Sequence, residues 1–234
     1  TLPAAKRDGP PSDRPALRLV TAQTTPATEL LSARALLVAI SAALLLGTVV
    51  RLAVVLSADF PLNDGGMFFS MTTDLQNNGY RIPEFTTYNF GGIPYAYPPL
   101  PFYIAAAMDD ATGLSMLDTF RFLPLTVNMA TMGAFVLLAR RLSDGRIALT
   151  AAVLAFALNP RSFEWMIMGG GLTRSFGLLF AVLALHEFLR LYQTRRMWSG
   201  ALAGMFAALT ALSHLEMAWF LAFSAILFLT FQGR

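Results

Sequence analysis

Three stretches of this sequence set chemistry-capable side chains on turn-forming backbone. The segment PLNDGG holds Asp64 on strong turn chemistry. A carboxylate held there could take a proton from an acceptor hydroxyl or ligate a metal. A turn former at a helix end is the plainer reading. Further along, Asn159-Pro160-Arg161 leads to Glu164 and then to Gly169, Gly170, Gly171, Leu172, Thr173 and Arg174. Three glycines leave backbone N–H groups free to face an anion, the positive end of a helix dipole follows, and Arg174 adds a two-pronged phosphate donor. No Lys-Ser/Thr pair follows at fixed spacing, so this is not a nucleotide P-loop. The alternative is a flexible loop with a snorkelling arginine. Ser213-His214-Leu215-Glu216 sets two ionisable groups between apolar runs. At membrane depth such groups are costly and face a cavity or a partner. On one turn, both could reach a single metal ion, or simply separate two helices. His186 and Glu187 beside Arg190 read as a membrane–water boundary.

The composition requires lipid. Hydrophobic residues are 56% of the 234 and charged ones 13%, and mean hydropathy is +0.56, against about 25% charged in a soluble domain. The net charge of +3 does not indicate nucleic acid, because the basic residues sit in short clusters between apolar runs, as loops flanking spans do. With no cysteine, disulfides, thiolate metal sites and a cysteine nucleophile are excluded.

The elements that must position these groups are helices. Residues 1–32, rich in Pro, Ser, Thr and Ala, read as a flexible cytoplasmic tail. Residues 35–57 read as a first anchor rather than a signal peptide, with Arg51 snorkelling from its far end. Residues 58–121 form a long aromatic outer loop carrying interfacial helices, and 98–108 is apolar but too short to span. Further spans are expected at 122–139, 147–163, 172–191, 199–212 and 215–231, the last two as a tight hairpin. The fold expected is all-α, a polytopic transmembrane bundle of about six spans. Gly200-x-x-x-Gly204 reads as a close-packing pattern. With the N-terminus in the cytoplasm, twelve Lys and Arg fall inside and only Arg81, Arg121, Arg161 and Arg174 outside. This orientation gathers Asp64, the glycine segment and the His214–Glu216 turn on the outer face.

The order of these features resembles a known family. A first helix runs into a loop with an early acid (PLNDGGMFFSMTTDLQNNGY), the loop closes on YAYPPLPFYIAAA, and Arg121 follows on the next helix. This looks like the N-terminal module of the GT-C glycosyltransferases, membrane enzymes that use polyprenyl-phosphate sugars, such as protein O-mannosyltransferases and aminoarabinose transferases. The resemblance runs from about residue 33 to 231. It implies inverting sugar transfer from a lipid phosphate at the outer face of the plasma membrane. Asp64 would be the catalytic carboxylate, and Arg174 with Gly169, Gly170 and Gly171 would stand at the donor phosphate. A divalent metal, magnesium or manganese, would be held by some of Asp64, Glu164, His214 and Glu216, although a DxD pair is absent. Tyr95 and Tyr97 would stack on the sugar or anchor the interface. Members of that family run to several hundred residues, so the resemblance implies either a fragment of a longer protein or a module put to another use.

Two alternatives differ in class. One is a non-catalytic GT-C-like subunit scaffolding a larger membrane complex, with the polar groups separately paired and other subunits covering the helices. The other is a transporter, disfavoured because no internal repeat is evident and the charges gather at one face. The enzyme reading requires the outer-loop segment and the hairpin tip to share one cavity.

Overall fold

The computed structural model describes residues 31–59 and 63–232. The expected tail, residues 1–32, lies almost wholly outside these residues. The helices are α1 (Ala33–Leu56), α2 (Gly65–Asn77), α3 (Leu100–Thr112), α4 (Met116–Leu142), α5 (Arg146–Leu158), α6 (Glu164–Ile167), α7 (Leu172–Thr194), α8 (Met197–Ser213) and α9 (Leu215–Gln232). A two-stranded antiparallel ribbon, β1 (Phe85–Thr86) with β2 (Ile93–Pro94), closes the loop between α2 and α3. The fold is the expected all-α membrane bundle.

Three helices, α1, α4 and α7, are long and apolar enough to cross a bilayer, while α5, α8 and α9 are apolar but shorter. Local chemistry sets their ends. Ser32 and Ser115 cap α1 and α4 by accepting from the backbone N–H groups of Ala35 and Asp118. Gly113 ends α3 at φ 70°, a conformation glycine adopts without a Cβ penalty.

One expected span is corrected. Residues 147–163 do not form one helix, because Pro160 cannot donate to the ladder and holds Asn159 extended (ψ 117°), so α5 stops at Leu158. Thirteen residues reach about 20 Å, short of a hydrocarbon core about 30 Å thick. The segment that follows folds as two short 3-10 turns around α6. Ser162, Phe163, Met166 and Ile167 of this segment are buried, while Asn159, Pro160, Arg161, Glu164 and Trp165 are exposed.

The core is arranged in layers along the bundle axis. Phe68, Leu75 and Phe102 from α2 and α3 pack with Phe120 of α4 and Phe176 of α7 at one end. Ala134 and Leu138 of α4 meet Leu185 and Leu189 of α7 and Leu221 of α9 toward the other. Met217 lies beside Gly177, while Leu221 and Phe228 pack further down α7, so α9 runs back along α7 after α8 has come up it. The expected hairpin therefore forms, and its turn is the single extended residue His214. The close-packing pattern in α8 does not act as expected. A Cβ on Gly204 would meet nothing within 4 Å, whereas one on Gly47 or Gly177 would collide with its neighbours.

Candidate functional site

The loop between α1 and α4 and the tip of the α8–α9 hairpin lie at the same end of the bundle. They share a cavity of about 690 Å³ whose lining includes Met67 and Met71 of α2, Ile93, Pro94 and Ala96 to Pro99 of the loop, Arg174 of α7, and Ala211, Leu212 and His214 to Glu216 at the hairpin. One wall is apolar and the other carries Arg174, His214, Glu216 and Tyr97.

Each polar member is held by its own element. Arg174 stands in the first turn of α7. Its Nη2 is 3.4 Å from Glu216 Oε2, and its guanidinium lies 5.5 Å from the Trp165 ring, within cation–π reach. Glu216 is in the first turn of α9, where a helix dipole favours an acid. His214 is 7% exposed, and its Nδ1 has no hydrogen-bond partner. It fits because α7 carries Gly177 opposite it: a Cβ there would come within 2.7 Å of the His214 Cβ. Burial pushes the His214 imidazole below its ordinary pKa, Arg174 adds to that, and Glu216 opposes it. Tyr97 packs edge-on against Phe68 at 4.8 Å. Its phenol is raised by burial and by Asp64, lowered by Arg174, and raised again by Glu216, so it stays a hydrogen-bond donor.

Asp64 precedes α2 and makes no side-chain cap bond. It sits against the glycine turn: a Cβ on Gly170 would be 3.0 Å from the Asp64 Cβ and 3.1 Å from its backbone N. Asp64 is therefore beside the start of α7, outside the residues that line the cavity, and its charge reaches Tyr97.

Several expectations are corrected. Gly169, Gly170 and Gly171 form a 3-10 turn, not an open cradle. The Gly171 N–H donates to the Met168 carbonyl, and a Cβ on Gly171 would overlap the Met166 carbonyl oxygen. These glycines permit close packing. Tyr95 is 9% exposed and packs on Phe102, so it belongs to the core and offers no face to a sugar. Glu164 is exposed on α6 and lines neither this cavity nor the one adjoining it beside Trp165. The metal quartet Asp64, Glu164, His214 and Glu216 does not assemble: among the described residues no three His, Asp or Glu side chains could share an ion. The described residues therefore offer no three-ligand metal site.

Arg51 does not snorkel. It is fully buried, donating to Asn128 Oδ1 (2.6 Å), Ala157 O (2.7 Å), Gly47 O (3.0 Å) and Ser162 Oγ (3.1 Å), with Phe163 under its guanidinium at 4.6 Å. It ties α1, α4 and α5 to the irregular segment that leads to Arg174. Glu187 is also buried, 3.3 Å from Arg190 and 3.7 Å from His186 Nε2, an ion-paired cluster at the far end of α7 in which His186 Nδ1 and Glu187 Oε2 have no hydrogen-bond partner.

Sequence reasoning missed Trp165, Met67 and Met71 as site residues. Trp165 adjoins Glu164, but only folding brings it under Arg174. The methionines recur at helical spacing, a pattern shared by any amphipathic helix.

A family model described as "6-pyruvoyl-tetrahydropterin synthase related domain; membrane protein" matches residues 95–233, more than half of the chain. The match spans Tyr97, Arg174, His214 and Glu216, and begins after Asp64. No curated protein matches the chain, and no solved structure does.

Proposed function

The chain belongs to that family of membrane proteins, and we propose that it is a membrane glycosyltransferase moving a sugar from a polyprenyl-phosphate donor to an acceptor at the extracytoplasmic face. The observation that carries this reading is the cavity where an apolar wall (Met67, Met71, Leu212, Leu215) meets Arg174, His214, Glu216 and Tyr97. A lipid-linked sugar is amphipathic in the same sense: its chain needs apolar contact and its phosphate needs a cation.

The step is a displacement. The acceptor oxygen bonds to the anomeric carbon as that carbon's bond to the phosphate oxygen breaks, with inversion. The Asp64 carboxylate takes the acceptor's proton, and Arg174 offsets the charge left on the lipid phosphate. Tyr97 donates a hydrogen bond at the same face. Orientation follows the clustering of Lys and Arg, which favours the loop and hairpin tip on the outer side of the cell membrane.

The test is transfer from a polyprenyl-phosphate sugar by the purified chain in lipid nanodiscs. Asp64→Asn is expected to lower the rate at least about 100-fold, the scale of a lost general base. Unchanged transfer by the variant would remove Asp64 from catalysis. One observation favours the second reading, a non-catalytic subunit of a larger membrane complex: Arg174 is already paired with Glu216. On that reading the wild-type chain transfers nothing and co-purifies with other membrane subunits.

A further inference from the structure

His214 is the least explained polar group in the cavity. An imidazole this buried normally has its nitrogens satisfied. Here Nδ1 is sealed from solvent without a partner, so the Nε2 edge of the ring is what His214 has to offer the cavity it lines. The packing is specific: α7 gives up a side chain at Gly177 to seat this turn, and Met217 packs beside it. His214 is not a structural tie, because its ring makes no bond that such seating would serve.

We infer that His214 is a binding residue for the uncharged, hydroxylated part of an amphipathic ligand whose anion is taken by Arg174. Among the described residues, His214 lacks the two companion ligands that a protein-held metal site would need. An anion-binding role fits poorly, because burial and the neighbouring Arg174 keep the imidazole neutral. The accessible Nε2 of a neutral imidazole donates in one tautomer and accepts in the other, and a hydroxyl can do the converse in either case, so the two match. The division of labour follows from the lining: cation at Arg174, neutral donor–acceptor at His214, and an apolar wall for the chain. The ligand class is then a lipid phosphate bearing a polyhydroxylated group. This inference rests on the reading of the cavity as a lipid-headgroup site.

The experiment uses the full chain in nanodiscs with three probes: dodecyl phosphate, the same lipid carrying a hexose on its phosphate, and inorganic phosphate. Binding is read by tryptophan fluorescence, since Trp165 lies under the Arg174 guanidinium. His214→Phe is expected to weaken the hexosyl lipid about tenfold, the scale of a buried hydrogen bond lost, while changing dodecyl phosphate less than about twofold. His214→Gln keeps a donor and an acceptor and is expected to restore most of the affinity, which separates recognition from folding. Equal losses for both lipids, or no loss for either, would overturn the assignment of His214. Failure of the wild type to bind either lipid, inorganic phosphate binding as well as the lipids, or Arg174→Met binding both lipids normally, would overturn the headgroup reading beneath it.

Discussion

A guanidinium buried in a membrane bundle must be held by hydrogen bonds or by a counter-ion, and Arg51 is held by the former. Its fork reaches two backbone carbonyls, an amide and a hydroxyl on separate parts of the chain. Lysine carries its donors at one point and cannot span that set. Arg51→Lys should therefore leave at least the Asn128 amide or the Ala157 carbonyl unpaired in the interior, at about 1–3 kcal/mol for each such group. The check is thermal unfolding in detergent, where the variant should melt several degrees lower. An unchanged midpoint would mean the network adds nothing to stability. Little of this was legible in the sequence. An arginine six residues from the end of an apolar run looks the same whether it snorkels to water or turns inward. The choice depends on Asn128 and Ser162, which are 77 and 111 residues away. The same holds for Tyr95 and Tyr97, two residues apart in one motif: both rings reach Phe102, yet Tyr95 is buried in the core while Tyr97 lines the cavity, a difference set by distant neighbours and not by local pattern.

At the scale of elements, apolar runs and their breakers gave the helices clearly, because period and end signals are local. The hairpin at His214 was legible for that reason, as was the failure of 98–108 to span. The glycines were not. A run of three reads as backbone freedom, yet Gly170 and Gly171 serve contact with Asp64 and with the Met166 carbonyl, which no local pattern encodes. Two substitutions separate the cases. Gly171→Ala forces a Cβ onto backbone that cannot swing aside, so the start of α7 must shift and carry Arg174 with it. A cost of about 1–3 kcal/mol is expected from overpacking. Gly204→Ala adds a methyl to open space on an α-helix, and helix propensity alone should make it neutral or stabilising by up to about 1 kcal/mol. Comparing detergent melting curves of the two variants checks both, and equal destabilisation would refute the distinction.

For the whole molecule, the decisive feature is that two segments more than a hundred residues apart open at one end of the bundle. The sequence indicated this through charge alone: the arginine clusters after α4 and α7 share the side of the N-terminal Lys and Arg only if α3 does not cross, and α3 is a 13-residue helix packed beside α2. The chain has no cysteine, so single cysteines report sidedness without background. Asn89 in the loop and Asn159 after α5 are exposed at the cavity end, and Asp144 and Thr194 are exposed at the other. In intact cells an impermeant maleimide should label Asn89→Cys and Asn159→Cys, while Asp144→Cys and Thr194→Cys should react only after the membrane is opened. Labelling with all four reversed would place the cavity at the cytoplasmic face, leaving a lipid-headgroup site but removing an extracytoplasmic acceptor. Labelling of Asn89→Cys and Asn159→Cys from opposite sides would separate the loop from the turn that supports Arg174, and with it the cavity on which the transferase reading depends.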